Sequence, residues 1–241
     1  MSNTPASPFE NASPVPLPRL VSFVRLVTHD VRNGLNAIDL QAAFIAEIAG
    51  DGEVADEMGK LRKMVTRVTH DMQELSGRFG EMRPVVMQFP VQEFLQGLKE
   101  AVEEEFDTQA KRIVWEMKVG DEEMAMDYTL MMSALMELTR NAIFFREGED
   151  AIHFTTWNDT KGNVVFEVRQ VRSEPAIDPN EWGREPLSSG RRGGYGLGLF
   201  YVRRVLDTLG GTLEPGYDTT TGELRVRLLM PLKQGQQQRA S

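Results

Sequence analysis

The 241-residue sequence contains no cysteine, which removes disulfides and thiolate chemistry and suits a cytoplasmic setting. Three histidines without a cysteine offer no zinc-ligating cluster. No apolar run approaches the length of about 18 residues that a membrane span requires. Net positive charge is also lacking. Thirty-six acidic against 27 basic residues give −9 and a pI near 5.0, which argues against non-specific nucleic-acid binding and against docking on anionic membranes. The stretch from Met1 to Pro18 has neither the basic start nor the apolar core of a secretion signal. Residues 1–16 are expected to be a disordered lead, and the Gln-rich residues 233–241 a disordered tail.

Present instead are 41% hydrophobic and 26% charged residues, the composition of a globular protein with room for one or two cores. Apolar or small residues recur at Leu20, Val24, Val27, Val31, Leu35, Ile38, Ala42 and Ile45, which predicts a helix over about 17–49 with one buried stripe. Gly50-Asp51-Gly52 breaks it. A second helix carries Val54, Met58, Leu61, Val65, Val68, Met72, Leu75 and Phe79. Two such helices joined by a short turn form a hairpin, and a lone hairpin buries its stripes poorly. Pairing with a second copy into a four-helix bundle is the expected solution, hence a homodimer; packing of the stripes on the downstream half of the same chain is the alternative.

Within the first helix lies Thr28-His29-Asp30-Val31-Arg32-Asn33. At about 100° per residue His29 points away from the stripe, with Asn33 one turn further along and Asp30 adjoining. An exposed imidazole beside a carboxylate, with an amide one turn on, suits phosphoryl acceptance. The ring is the nucleophile, the carboxylate takes or holds the ring proton, and the amide positions water. His70, followed by Asp71 but with Glu74 four residues on, is expected to be a solvated surface residue, and His153 a structural one.

Gly80 to Pro90 reads as a connection to a second domain. There the expected elements are a helix over Val91–Thr108, a strand over Arg112–Val119, a helix over Met126–Phe145, and paired strands over Ile152–Trp157 and Asn163–Gln170. A helix over Tyr195–Leu209, ended by Gly210-Gly211, and a strand over Glu223–Met230 follow. The Glu103-Glu104-Glu105 run is expected to be solvated surface. The order is not a repeated βαβ, so the fold class is α+β, with an open α/β sandwich after the hairpin. The domains are residues 1–16, 17–82, 83–232 and 233–241.

Two further patterns bear chemistry. Glu137 and Asn141 lie one turn apart on one helix face, where a carboxylate and an amide can hold a Mg²⁺ shell. Gly193-Gly194-Tyr195-Gly196-Leu197-Gly198 opens a helix, so backbone N–H groups can approach phosphates. In this order, after the His29 segment, the patterns resemble the H-box, N-box and second glycine box of sensor histidine kinases, over roughly residues 20–232. The resemblance implies a Bergerat-type ATPase domain using ATP and Mg²⁺, with Asn141 as Mg²⁺ ligand, Glu137 as the N-box acid and Gly194, Gly196 and Gly198 as the triphosphate loop. It also implies autophosphorylation of His29, Asp30 as base, assistance to dephosphorylation from Asn33, a response-regulator receiver domain as partner, and a sensor on another protein.

One box departs from the pattern. Where the family has Asp-x-Gly-x-Gly, this chain reads Gln170-Val171-Arg172-Ser173-Glu174. Gln170 can meet adenine as a neutral amide, losing a charge-assisted bond worth about 1–2 kcal/mol. Ile143-Phe144-Phe145 lacks the lysine common in the family, and Arg191 and Arg192 are either phosphate contacts or exposed loop charges. The alternative function is therefore a histidine phosphotransferase or phosphatase that binds no ATP and keeps a vestigial ATPase domain.

Overall fold

The computed structural model describes residues 16–175, 177–186 and 197–232. The expected tail, and all of the expected lead but Pro16, lie outside them. The chain divides into two compact units, the first ending at Glu81 and the second starting at Met82.

The first unit is a helical hairpin of α1 (Leu17–Ala49) and α2 (Glu53–Phe79). Gly50 and Gly52, both at positive φ, make the turn between them. Thr28 is buried on the α2-facing side and donates to the Val24 carbonyl at 2.7 Å, so its hydroxyl is satisfied within the helix. Arg62 of α2 donates two bonds to Asp39 of α1, at 2.9 and 3.3 Å. The expected single stripe is split. Val24, Leu35 and Ala42 face α2, whereas Val27, Val31, Ile38 and Ile45 remain more than a third exposed. The apolar arc of α1 is wider than one partner helix can cover, so its second flank is open in the protomer.

The second unit is an α/β sandwich. The strands β2 (Ile113–Lys118), β4 (Ile152–Asn158), β5 (Asn163–Val171), β6 (Thr212–Asp218) and β7 (Glu223–Pro231) form a sheet of order β2-β4-β5-β7-β6. The β2–β4 pair is parallel and the others antiparallel. Helices α3 (Val91–Phe106), α4 (Tyr128–Phe144) and α5 (Gly198–Leu209) cover one face. The alternation of strand residues drives this arrangement: Phe154, Phe166, Val168, Val226 and Leu228 are buried in the core with Phe94, Leu95, Leu135 and Leu206 from the helices. Gly210, at φ 79°, caps α5 in the left-handed conformation open to glycine, and the chain turns directly into β6.

Three strands differ from expectation or were absent from it. The supposed connection ends in β1 (Met87–Pro90), which pairs antiparallel with β3 (Glu123–Met126), with Phe89 opposite Met124. Met126 therefore belongs to a strand, and α4 starts at Tyr128, because the Asp127 side chain caps it at the Leu130 amide, 3.0 Å away. The third is β6, which contains Pro215 and Gly216. Helix α3 stops at Phe106, before Asp107 at φ 39°, and a 3₁₀ turn over Ala110–Arg112 leads into β2.

Candidate functional site

In the first unit, His29, Asp30 and Asn33 meet on the exposed side of α1. The His29 and Asp30 side chains are 67% and 70% exposed, and His29 Nδ1 lies 3.2 Å from Asp30 Oδ1. Asn33 Nδ2 lies 3.4 Å from the same Nδ1. A neutral imidazole nitrogen either donates or accepts, so the two contacts belong to opposite tautomers. With the proton on Nδ1, the ring donates to Asp30 and Nε2 keeps its lone pair. With the proton on Nε2, Nδ1 accepts from Asn33. His70 is similarly exposed, but its Nδ1 lies 3.9 Å from Asp71, beyond hydrogen-bond reach. His153 sits in β4, and its buried Nδ1 has no hydrogen-bond partner among the described residues. Among the described residues no group of three or more His, Cys, Asp or Glu is placed to hold a metal.

In the second unit, Glu137 and Asn141 share one face of α4. Glu137 is only 7% exposed. Its Oε2 accepts from Arg140 Nη1 at 2.9 Å, and its Oε1 accepts from Asn141 Nδ2 at 3.4 Å. The latter bond turns Asn141 Oδ1 the other way, where a hard cation finds an oxygen donor. Arg140 also donates to Glu105 of α3, through Nε at 3.1 Å and Nη2 at 2.8 Å. Glu105 is thus part of this network rather than plain solvated surface. Thirty-five positions separate the pair, and no local spacing could have signalled it.

The carboxylate of Glu137 abuts Gly198, the first residue of α5. A Cβ on Gly198 would stand 2.8 Å from Glu137 Cδ, 3.2 Å from Cγ and closer still to Oε1. Only glycine allows this approach, and it places a buried negative charge against a helix N-terminus, where the dipole favours it. A strap over 177–186 holds the outer side of α5: Arg203 donates to the Trp182 carbonyl at 3.2 and 3.0 Å, and the Trp182 indole donates to Ile177 O at 3.1 Å. Gly194, Gly196, Arg191 and Arg192 lie outside the described residues.

Gln170 ends the helix-facing row of β5. It is 5% exposed, and its Oε1 has no hydrogen-bond partner among the described residues. The segment after it is tied down. Arg172 N donates to Gly222 O at 2.9 Å, Tyr217 donates to Arg172 O at 3.1 Å, and the Arg172 guanidinium stands 5.2 Å over the Phe145 ring. Ser173 donates through N and Oγ to Glu147, at 2.8 and 2.6 Å. These two bonds hold the Glu147 carboxyl below its ordinary pKa, the hydroxyl contributing most.

The sequence matches no protein-family model and no curated protein. Solved structures match in fold. Full-length ShkA in complex with AMPPNP superposes at a TM-score of 0.67 with 17% identity, over 87% of this chain and 45% of its own. The Acinetobacter baumannii histidine kinase AdeS superposes at 0.53 with 14% identity, over 85% of this chain and 98% of its own. The chain has the fold of a histidine kinase core. The mycobacterial sensor histidine kinase MprB gives a TM-score of 0.50 with 19% identity, over 61% of this chain and 97% of that one. The chain thus spans less than half the length of ShkA and nearly the whole of the AdeS and MprB structures. Among the described residues no helix is long and apolar enough to cross a membrane.

Proposed function

We propose that the chain is a cytoplasmic histidine kinase core that phosphorylates His29 from ATP and passes the phosphoryl group to a receiver-domain aspartate. The observation that carries this reading is the position of His29: an exposed ring whose Nδ1 sits against Asp30, which leaves Nε2 nucleophilic and facing solvent.

In the Asp30-bonded tautomer, Nε2 attacks the γ-phosphorus, an N–P bond forms, and the P–O bond to ADP breaks. The ring gains positive charge, and Asp30 stabilises it by accepting the Nδ1 proton. Asn33 favours the other tautomer, in which Nε2 carries the proton and cannot attack. It also lies one turn from the ring, placed to orient water for the reverse, phosphatase direction. In the second unit, Asn141 Oδ1 and the phosphate oxygens would hold Mg²⁺, which supplies charge neutralisation. Glu137, fixed by Arg140 and Gly198, orients Asn141. Gly194, Gly196 and Gly198 would bring backbone N–H groups to the phosphates. The AMPPNP carried by ShkA supports a nucleotide in this fold.

The open flank of α1, with Met64 and Val68 of α2, suits a second copy in a four-helix bundle. Leu26, Leu40 and Phe44 lie on the His29 side, each more than half exposed, and suit the receiver domain.

Incubation with γ-labelled ATP and Mg²⁺ tests the kinase. Wild type is expected to take up an acid-labile label that His29→Gln abolishes; equal labelling of both refutes it. One observation favours a second reading, a phosphotransferase or phosphatase without ATP. The segment that carries glycines in the kinases here presents Arg172 over Phe145 and is pinned through Ser173 to Glu147. His29 would then exchange phosphoryl groups with receivers alone, and transfer from a phosphorylated receiver without nucleotide binding would select this reading.

A further inference from the structure

Ile143 stands two positions after Asn141, about 200° further around α4, and so faces away from the Glu137–Gly198 contact. On that side a cavity of about 150 Å³ is lined by Thr108, Gln109, Arg112, Ile143, Arg146 and Ile152. It lies between the 3₁₀ turn, the C-terminal end of α4 and the start of β4. Ile152, 1% exposed, closes it toward the core. Two of the lining residues are arginines, in a chain of net charge −9. Arg146 Nη1 is buried and has no hydrogen-bond partner among the described residues. Arg112 is engaged through Nη1, which donates to the Glu149 carbonyl at 3.4 Å and to its carboxylate. That ion pair is weak, because the Glu149 side chain is 81% exposed. Two guanidiniums against one carboxylate leave positive charge in excess at the cavity. The carboxylates nearest in the chain are committed elsewhere: Asp107 accepts from Thr108 at 3.3 Å, and Glu147 accepts from Ser173. A buried charged donor without an acceptor bears its full desolvation cost and calls for a physical explanation.

We propose that this cavity binds a phosphate group, either free orthophosphate or the phosphoryl group of a small phosphomonoester. A cavity of this volume holds about six non-hydrogen atoms, as one of equal size holds benzene. Orthophosphate fits that space and a nucleotide does not. Thr108 and Gln109 are exposed, so an ester can leave its carbon substituent in solvent. Guanidinium forks match pairs of phosphate oxygens, and the Thr108 hydroxyl and Gln109 amide add neutral donors. A tetrahedral dianion uses donors on several sides, whereas a planar carboxylate uses fewer. The site lies across α4 from Asn141, so it stands whether or not the second unit binds ATP.

Calorimetric titration of the full chain with orthophosphate, O-phosphoserine and acetate tests this, at constant ionic strength in chloride and at a pH where phosphate is dianionic. Wild type should take up one orthophosphate per chain saturably, and acetate about tenfold more weakly or worse. Arg146→Gln should lower the orthophosphate affinity by about tenfold or more. The melting temperature of the unliganded variant should hold or rise, because an unpaired buried cation is removed. A purely structural arginine would give a fall instead. Arg112→Gln leaves Arg146 in place and should also weaken uptake several-fold. Phosphoserine bound at least as tightly as orthophosphate identifies an ester as the occupant, and orthophosphate bound alone identifies the free ion. Acetate bound as tightly as orthophosphate overturns the proposal. So does uptake that survives both substitutions, as uptake at the nucleotide loop would, and so does a wild type without saturable uptake.

Discussion

Gly198→Ala places a methyl group inside the Glu137 carboxylate, 2.8 Å from Cδ and nearer to Oε1. Neither side gives way freely. Glu137 is 7% exposed and tied to Arg140 and Asn141, and Gly198 is helix backbone held under the Trp182 strap through Arg203. Overpacking of this kind costs about 1–3 kcal/mol. Gly198 is the first residue of α5, where alanine returns little of the about 0.5–1 kcal/mol it gains in a helix interior, so the net loss is about 1–2.5 kcal/mol. For a unit of this size that corresponds to a fall of about 2–10 °C in its melting temperature. Calorimetry of the full chain reads it. The decisive comparison is a double-mutant cycle: in a Glu137→Ala background the space is free, and Gly198→Ala should become neutral or slightly stabilising. An unchanged melting temperature for Gly198→Ala alone would refute the close approach, and so would an equal loss in both backgrounds.

Val31→Glu with Ile38→Glu on the open flank of α1 should convert a dimer into a monomer by sedimentation, with His29 and the α2-facing residues untouched; a dimer that survives refutes bundle formation through this flank. The Glu147–Ser173 clasp depends on pH in a definite direction. Because the folded carboxyl lies below its ordinary pKa, its contribution is present above the ordinary carboxylate range and is lost as pH falls through the lowered folded value. Hydrogen exchange in residues 171–175, corrected for intrinsic rates, should rise at that acid end, and Glu147→Gln should show the rise already at neutral pH. Protection that is indifferent to both changes would refute the clasp.

Periodicity made the long helices legible. The recurrence in α2 gives its length but its inner face only in part, because Val65 and Phe79 are buried whereas Val54 and Val68 of the same stripe are exposed; the alternation in β5 places Val164, Phe166 and Val168 toward the helices. Turn chemistry marked the ends, as Gly210 does for α5. Short or interrupted strands stayed hidden. β1 and β3 have four residues each, too few for an alternation, and β6 contains Pro215 and Gly216, which normally argue against a strand. The α1 stripe was visible, but its division between α2 and an open flank was not, because periodicity gives a direction and not the number of partners. At the sites, His29, Asp30 and Asn33 are one turn of a single helix, so spacing alone brings them together. The Glu105–Arg140–Glu137 network and the Glu137–Gly198 approach join separate elements, and nothing local encodes them. Gln170 was legible as a departure in residue type; its burial and unmet carbonyl were not.

The most direct measurement is of phosphoryl attachment at His29 itself. The full chain is incubated with ATP and Mg²⁺ and, separately, with a phosphorylated receiver domain, and then analysed by mass spectrometry under conditions that preserve the N–P bond. One phosphoryl group mapped to His29 from at least one donor, lost in Asp30→Ala or slowed many-fold, is the expected result. A protein that stays unmodified with both donors, or carries the group elsewhere than His29, would contradict the role assigned to this ring.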